Sequence, residues 1–401
     1  MKLAKLSLAA IVVAGLASSS FAADTLADAF KNGKVSGELK AWYWDRDTDH
    51  ANNGTAKKGN ADIFNTGVVL GYVTDSFYGF KMGATFQANS APFADDDAKN
   101  LYIGDEYGSG SVLSEAYVEY TIGKTMAKVG RQYISTPLVN GSGSRMIKQS
   151  FEGALLVNTD LPNTTLAAGY VDKYQNRTDN DGGVGDFEQV GANNDGAYTL
   201  LAINKSIPGL TITAQWAQVT DTADVYYAEL DYAGTASGFK YGLAAQYDLL
   251  DFDAAGVDSG SVVGLKASLG MGDISGWIAY AKVGSDNTVN SGLGGFGLGS
   301  GTDKLFTNNI VSDVDAYKVD TESYAANLEY AVNKSAKIGA QYLGTDNGLA
   351  TNDTAHSLDF YGSYAFDGSL KGLNFYVVYE DAEESDGRNT SELRFNAGYK
   401  F

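Results

Sequence analysis

The sequence predicts an all-β protein, a transmembrane antiparallel β-barrel of about eighteen strands with short periplasmic turns and long extracellular loops. Segments of about ten residues alternate between apolar and polar positions. The connections between these segments alternate between short and long. After residue 22, no apolar run is long enough for a membrane helix. Only helices and closed barrels satisfy every backbone polar group within lipid, so alternating strands without membrane helices favour a barrel.

The amino-terminal residues 1–22 have the pattern of a cleavable secretory signal peptide. Lys2 and Lys5 precede an apolar stretch over residues 6–16, and Ser20, Phe21 and Ala22 form a small-x-small cleavage site. A membrane anchor would need roughly 20 apolar residues and would leave this site unexplained. We therefore expect residues 23–401 to form the mature barrel domain, exported to the bacterial outer membrane.

The strand pattern is clear in some segments and ambiguous in others. Apolar and polar side chains alternate without interruption in residues 80–89, 239–247, 373–380 and 391–401. Residues 197–204 and 273–282 also have strand character, but their facing is ambiguous. The final segment carries Tyr399 and Phe401, a pattern typical of the strand that directs insertion through the barrel-assembly machinery. With no cysteine in the chain, the hydrogen-bonded ladder rather than a disulfide framework must hold the fold.

The connections alternate in length, as expected for a barrel made from one chain. The short ones are residues 75–79, 122–125, 159–163, 205–209, 234–237, 270–272, 332–334 and 367–371. The long ones are residues 47–61, 90–111, 135–148, 173–195, 249–260, 284–320, 344–354 and 382–390. Only residues 220–223 break the alternation. An even number of strands then places both termini on the periplasmic side.

Charged residues on the predicted inner faces distinguish a barrel from a soluble β-sandwich. They are Glu38, Lys40, Lys81, Glu115, Glu119, Lys128, Glu229, Asp231, Lys240, Lys266, Glu329, Lys337, Asp359, Glu380 and Arg394. Unpaired charges are costly in a dry core, whereas a water-filled bore hydrates them. A sandwich could turn this face to solvent, but it could not readily expose the aromatic face as well.

A barrel of sixteen to eighteen strands leaves an aqueous channel. The sequence thus predicts passive diffusion of small hydrophilic solutes and ions. Removing Lys2 and Lys5 from the chain leaves 27 basic against 49 acidic residues, a net charge of −22. The acids concentrate in the long loops, which predicts weak cation selectivity and excludes nucleic acid as a partner. Alternatively, the acidic loops bind calcium or another divalent cation that bridges to lipopolysaccharide, although no calcium-loop spacing is present.

Catalysis is not expected, and neither is a cofactor. The two histidines, His50 and His356, lie in or beside loops, where they are more typical of solvated residues than of a catalytic base. The glycine-rich residues 291–297 lack the Lys-Ser/Thr of a phosphate-binding loop. The main alternative to a diffusion channel is a structural or adhesive outer-membrane barrel with a plugged bore.

One segment resembles a known family. Gly130-Arg131-Gln132, Pro137, Gly143-Ser144-Arg145 and Phe151-Glu152-Gly153-Ala154-Leu155 resemble the region of OprD-like porins in which the third long loop folds inward. The start of the mature chain and its Tyr399-Lys400-Phe401 end are similar to related major outer-membrane porins. The resemblance implies eighteen strands and a channel narrowed around residues 135–148. It also implies a homotrimer in some members and bound calcium in others. A proline usual after the loop arginine is absent, since Met146-Ile147-Lys148 stands there.

The resemblance also implies which residues line the narrow part. Arg131, Arg145 and Lys148 would lie there, facing Glu115 and Glu119 across a transverse field that selects solutes. Strict alternation along the strand instead points Arg131 toward lipid, unless a bulge changes its phase. A salt bridge that anchors the loop is the alternative role for Arg145. The longest connection, residues 284–320, either enters the bore or covers a neighbouring subunit.

Overall fold

The computed structural model describes residues 23–49, 59–284, 297–302, 305–312, 314–348 and 354–401. The predicted signal peptide at residues 1–22, His50 and residues 291–296 of the glycine-rich run lie outside the described residues.

The described part of the chain is mostly β-strand. Its α-helices are α1 (Leu26–Lys31) and α2 (Asp96–Tyr102), and a single 3-10 turn covers Gly368–Leu370. Neither α-helix has the length or apolar character needed to cross a bilayer. The strands are β1 (Lys34–Asp49), β2 (Gly59–Val73), β3 (Phe80–Ser90), β4 (Gly110–Ile122), β5 (Thr125–Gln132), β6 (Ser150–Asn158), β7 (Thr164–Gln175), β8 (Phe187–Gln189), β9 (Ala197–Asn204), β10 (Leu210–Val219), β11 (Ala223–Ala236), β12 (Phe239–Phe252), β13 (Gly260–Met271), β14 (Ile274–Val283), β15 (Glu322–Ala331), β16 (Ala336–Asp346), β17 (Thr354–Ala365), β18 (Leu373–Glu383) and β19 (Asn389–Lys400).

The strands close into a ring. Each long strand pairs antiparallel with its neighbours in the chain, and β1 pairs with both β2 and β19. The short strand β8 pairs only with the end of β7, and β7 also pairs directly with β9. Of the nineteen strands in the sheet, eighteen therefore form the closed barrel. The predicted fold class and strand number are confirmed.

Hydrogen bonds between neighbouring turns continue the ladder along the short-turn rim. In one turn, the side chain of Asn158 accepts from the backbone N–H of Asp160, and Asn204 accepts from Ser206 in the same way in the next turn. The backbone N–H of Lys205 donates to the carbonyl of Asn163 in the adjacent turn at 2.8 Å. Local side-chain bonds of this kind favour tight turns, so the sequence fixes this rim closely.

The two faces of the strands differ as the alternation predicts. On the outer face, Leu39, Val129 and Ile278 are 51%, 60% and 65% exposed, which suits contact with lipid. The inner face of β9 is also apolar, because Leu201 and Ile203 pack in a cluster that includes Met126, Leu155, Val157 and Ala167. Both faces of β9 are thus apolar, which explains the ambiguous phase of residues 197–204.

Candidate channel constriction

The connection between β5 and β6, residues 133–149, lies inside the barrel and is called the first inward segment below. Its tip is a tight turn in which the backbone N–H of Thr136 bonds the carbonyl of Val139. The turn presents Leu138, which is fully buried against inner-wall residues that include Val225 and Leu250. The backbone N–H of Leu138 also donates to the side-chain oxygen of Gln215 on β10 at 2.9 Å.

The other end of this segment is held by β3. The side chain of Gln87 donates to the carbonyl of Lys148 and accepts from its backbone N–H, both at 2.9 Å. Five strands of the ring separate β3 from β10, namely β4, β5, β6, β7 and β9. The first inward segment therefore extends across the bore between two distant parts of the wall.

Residues 297–302, 305–312 and 314–320 form the second inward segment, the described part of the connection between β14 and β15. Its backbone N–H groups donate to the inner wall. Phe306 bonds Gln246 at 3.2 Å, Ile310 bonds Asp359 at 3.0 Å, and Ser312 bonds Glu380 at 3.0 Å. Of the two placements predicted for residues 284–320, residues 297–302, 305–312 and 314–317 adopt the one inside the bore, whereas Asp320 lies at the rim and pairs with Lys282.

The two inward segments are joined to each other. The backbone N–H of Leu298 donates to the carbonyl of Leu138 at 2.9 Å, and that of Asn140 donates to the carbonyl of Leu298 at 3.1 Å. The side-chain oxygen of Gln149 accepts from Ser142 at 3.0 Å and from Ser300 at 3.1 Å. The two segments thus form one body within the barrel.

An ion-pair network connects the first inward segment to the wall. Arg46 on β1 donates to Glu392 on β19 at 2.8 Å and to Asp105, in the loop after α2, at 2.9 Å. Arg145 bonds the other oxygen of Asp105, and Arg394 bonds Glu392 at 2.8 Å. Every carboxylate in this network contacts two arginines, so each charge is compensated despite its burial.

The ring of Trp44 lies among the arginines of this network. The guanidinium groups of Arg394 and Arg145 lie 4.0 Å and 5.0 Å from the ring centroid. Cations are attracted to the face of an aromatic ring, so Trp44 helps to hold both side chains against the wall.

Two neighbouring acids beside this network have opposite pKa shifts. Burial would raise the pKa of Asp105, but the guanidinium groups of Arg145 and Arg46 hold it well below its usual range. Burial raises the pKa of Glu106 to about 8, against the opposing effect of Arg145. Glu106 is 2% exposed and accepts the backbone N–H of Met146 at 3.4 Å. The pair thus joins one ionised and one largely neutral carboxyl to the first inward segment near neutral pH.

A polar cavity of about 350 Å³ lies where these elements meet. Arg145 comes from the first inward segment, Ser312 from the second, and Arg46 and Glu380 from the wall. The ionisable groups around the cavity are Arg46, Arg145, Arg388, Arg394, Glu380, Glu384 and Glu392. Charges of both signs thus line this part of the bore.

The structure separates the five residues predicted to line the constriction. Glu115 accepts the backbone N–H of Tyr133 at 3.3 Å and lies 3.9 Å from Lys128. The Lys148 side chain lies over the Tyr133 ring, 4.0 Å from its centroid. Lys148 and Glu115 thus both contact Tyr133, whereas Arg145 pairs with Asp105 instead of the predicted acids.

Glu119 and Arg131 lie apart from this group. Glu119 is 4.0 Å from Lys81, nearer the periplasmic turns. Arg131 lies on the outer face of β5 with Val129 and bonds Glu152 at 2.9 Å. Its placement at the constriction is corrected, because strict alternation runs through β5 and the nearby bulges lie on β4 and at the β6–β7 pairing.

The residues predicted for the channel wall lie on the inner face of the strands. Three contacts illustrate this placement: Lys40 donates to the Met146 carbonyl at 2.9 Å, Glu329 pairs with Lys337 at 2.8 Å, and Lys266 lies over Trp277. The strand pairings place the other predicted wall residues on the same inner face, opposite these residues or opposite residues that bond an inward segment. They are Glu38, Lys81, Lys128, Glu229, Asp231, Lys240, Asp359, Glu380 and Arg394.

Several residues of the site were not predicted from the sequence. Arg46 and Glu392 continue the inner-face alternation of Lys40 and Arg394, so the same alternation is the signal that could have found them. Asp105 and Glu106 lie in a loop without periodicity, and no signal in the sequence indicates their position. Among the described residues, no group of three or more His, Cys, Asp or Glu side chains is arranged to hold a metal ion.

The chain matches one protein family along its whole length and resembles solved barrels in fold. The family, Campylobacter major outer membrane protein, is matched over residues 1–401. No curated protein matches the chain significantly. Similar solved structures include OpdO and OccK9 (OpdG) of Pseudomonas aeruginosa and OccAB4 of Acinetobacter baumannii.

These likenesses extend over nearly all of each chain at low identity. OpdO has a TM-score of 0.75 and 19% identity, covering 94% of this chain and 98% of its own. OccAB4 has a TM-score of 0.76 and 17% identity, covering 92% and 98%. OccK9 has a TM-score of 0.80 and 15% identity, covering 93% and 99%. With the closed eighteen-stranded barrel and the match over its full length, the chain belongs to the Campylobacter major outer membrane protein family, and it is an outer-membrane porin with an OprD-like fold.

Proposed function

We propose that the protein is a passive, weakly cation-selective channel for small hydrophilic solutes and ions, narrowed by the two inward segments. The observation that carries this proposal is the polar cavity of about 350 Å³ between the inward segments and the β18–β19–β1 wall. Passage beside these segments favours small solutes, and the charged lining favours hydrated ones.

Weak rather than strong selectivity follows from two opposing charge distributions. Acids dominate the extracellular loops, and this excess raises the concentration of cations at the mouth. Around the cavity, four arginines face three glutamates, so the narrow part has little net preference of its own. The acidic mouth therefore determines that cations are preferred, and the arginines around the cavity limit the magnitude of this preference.

Single-channel recording in a planar bilayer tests the channel directly. The purified folded protein is expected to give discrete conductance steps, and a salt gradient is expected to give a reversal potential of the sign for cations. A structural or adhesive barrel with a plugged bore would give no steps. A reversal potential favouring anions would contradict the proposed selectivity while leaving the channel itself intact.

Two arginine variants separate the cavity from the rest of the barrel. Arg145→Ala removes one positive charge from the cavity and is expected to increase cation preference. Arg131→Ala removes the same charge from the outer face and serves as the matched control, with little expected effect on the reversal potential. Equal shifts in both variants would argue against the cavity as the selective part.

Insertion into the membrane depends on the terminal strand in this proposal. Tyr399 and Phe401 are 39% and 54% exposed on the outer surface, with ring centroids 6.1 Å apart. An exposed aromatic pair at the end of β19 and on the residue after it is a suitable signal for the barrel-assembly machinery. Replacing both rings by alanine is expected to reduce the amount of folded protein in the outer membrane, while the refolded variant keeps the conductance of the wild type.

A further inference from the structure

Two cations lie side by side on the outer face of the barrel, outside the channel. The register of β5, β6 and β7 places Arg131, Glu152 and Lys173 in one row. Arg131 donates to one oxygen of Glu152 at 2.9 Å, and Lys173 donates to the other at 3.1 Å. Glu152 thus holds one cation on each side, about one third exposed in each case.

The row lies at the extracellular edge of the lipid-facing band. Two residues earlier on the same face of β5, Val129 is 60% exposed, and Leu156 on β6 is 47% exposed. Residues two apart in a strand are separated by about 7 Å. Because β5 leads into the first inward segment, Arg131 lies on the long-loop side of this apolar band. Charges are costly in hydrocarbon, so the row belongs at the level of the outer-leaflet headgroups.

The guanidinium group of Arg131 keeps donors available for a ligand. Arginine has five N–H donors. Within the described residues, Nε bonds Glu152, Nη1 bonds the Leu113 carbonyl at 3.3 Å, and no partner is seen for Nη2. The group also lies 4.2 Å from the ring centroid of Phe187, which fixes its plane. A planar guanidinium held in this way matches the geometry of a phosphate.

The rest of the outer face near this rim is unfavourable to anions. Acids stand directly opposite each other in three cross-strand pairs, which are Asp45 with Asp62, Asp224 with Asp251, and Glu322 with Asp346. The third outward cation among the described strand residues is Lys282, which lies between Asp320 at 2.7 Å and Glu322 at 3.6 Å. Beside Arg131 and Lys173, which share Glu152, Asp172 lies 4.0 Å from Lys173.

We propose that Arg131 and Lys173 form a binding site for a phosphate group of the glycolipid in the outer leaflet, with Glu152 setting the distance between the two cations. Charge-assisted hydrogen bonds from the unused donors hold the phosphate, and the apolar band below contacts the acyl chains. The site orients the barrel against an anionic leaflet that its acidic rim otherwise repels. It is independent of the proposed passage of solutes.

Binding of lipid A to the folded full-length protein in detergent tests this site. The probes are bis-phosphorylated lipid A and the same lipid A with both phosphates removed, and the readout is the number and stability of bound lipids in native mass spectrometry. The wild type is expected to bind the phosphorylated form about tenfold more tightly. The double variant Arg131→Ala/Lys173→Ala is expected to lose that preference.

Two further variants serve as controls. Lys282→Ala removes a single outward cation on β14, which lies between two acids and outside the row of Arg131 and Lys173, and is expected to change binding by less than about twofold. Glu152→Gln keeps an acceptor oxygen between the two cations but removes the negative charge that competes with the phosphate, and is expected to keep or strengthen binding. Should the alanine double variant fail to fold, Arg131→Gln/Lys173→Gln removes both charges while keeping an uncharged polar side chain at each position, and replaces it.

Three results would overturn the proposal. They are equal affinity of the wild type for both lipids, unchanged preference in the double variant, and an equal loss in Lys282→Ala. Conductance and reversal potential are expected to be the same in the double variant and the wild type. A failure of this site is therefore distinguishable from a failure of the channel proposal.

Discussion

The two inward segments occupy the same bore but are attached to it by different chemistry. The first segment is held by the neutral amides Gln87 and Gln215 and also by charged groups of both signs, which are Lys40, Glu115 and the pair of Arg145 with Asp105. The second segment bonds the amide of Gln246, but most of its wall acceptors are carboxyl groups, Asp359 and Glu380, both fully buried.

This difference indicates how each segment responds to change. Neutral amide contacts are insensitive to salt and pH, whereas a hydrogen bond to a buried charged group contributes about 1.5–3 kcal/mol and leaves an unpaired group when broken. The first segment, which has attachments of several kinds at both of its ends, should therefore behave as a fixed part of the barrel, and the second as the part whose position depends on a few buried carboxyl acceptors.

The largest effect is expected from removing the carboxylate anchors. Asp359→Ala/Glu380→Ala leaves the backbone N–H groups of Ile310 and Ser312 without their acceptors, so the second segment should leave the wall. Unit conductance should roughly double as the bore widens. The variant Asp359→Asn/Glu380→Gln keeps both acceptors and should retain a conductance close to that of the wild type.

That amide variant also sharpens the comparison, because it removes charge without removing the anchor. If the amide variant lowers the cation preference at unchanged conductance, the anchoring hydrogen bonds determine the width of the bore and the carboxylate charges determine its selectivity. If the alanine and amide variants gave the same conductance, the second segment would be held by its other contacts instead.

A smaller effect is expected from the ionic attachment of the first segment. Asp105→Ala leaves Arg46 and Arg145 without a shared carboxylate, so the local positive charge rises and Arg145 becomes mobile. The reversal potential should move toward anions, and conductance should become noisier without a change of mean. Glu119→Ala, which removes an acid paired only weakly with Lys81, is the matched control.

The joint between the segments provides a third test. Gln149→Ala removes a side chain whose oxygen accepts from both Ser142 and Ser300, at about 1 kcal/mol for each bond. The two segments should then fluctuate separately, giving brief substates in single-channel records. Records identical to the wild type would indicate that the backbone bonds between Leu138 and Leu298 hold the segments together by themselves.

The smallest effect is expected from pH, through Glu106. Its pKa in the folded protein is raised to about 8, above its ordinary value, so its contribution to stability is fully present at acidic pH. That contribution is lost as pH rises through about 8, because the buried carboxyl then ionises beside Met146. Channel noise should increase between pH 7 and 9, roughly centred on this pKa, and Glu106→Gln should abolish the dependence.

The barrel and the two inward segments also differ in how well the sequence predicts them. The barrel, its strand number and its inner charges follow from alternation, which repeats over many strands and tolerates local errors. The first segment was expected because its glycines and Arg145 resemble a known loop. The second segment has no periodicity, and its contacts with Gln246, Asp359 and Glu380 on distant strands are seen only in the structure.

Errors in the predicted site have a common physical origin. Alternation gives the face of a side chain but not its height along the barrel or its partner across the bore. Arg131 was placed at the constriction by resemblance, although alternation with Val129 already pointed it outward. Asp105 could not be found because its partners, Arg46 and Arg145, are distant in sequence and meet only when the loops fold inward.

The pairing of β1 with β19 has a consequence for how the protein is made. Glu38 stands opposite Lys400, so the two edges of the sheet meet only after almost the entire polypeptide is available. Contacts so far apart in sequence form slowly because a long loop must close first. Until then, both edge strands expose unpaired N–H and C=O groups that invite aggregation. We therefore expect the chain to reach the membrane unfolded, and the seam between β1 and β19 is where we expect assembly to finish.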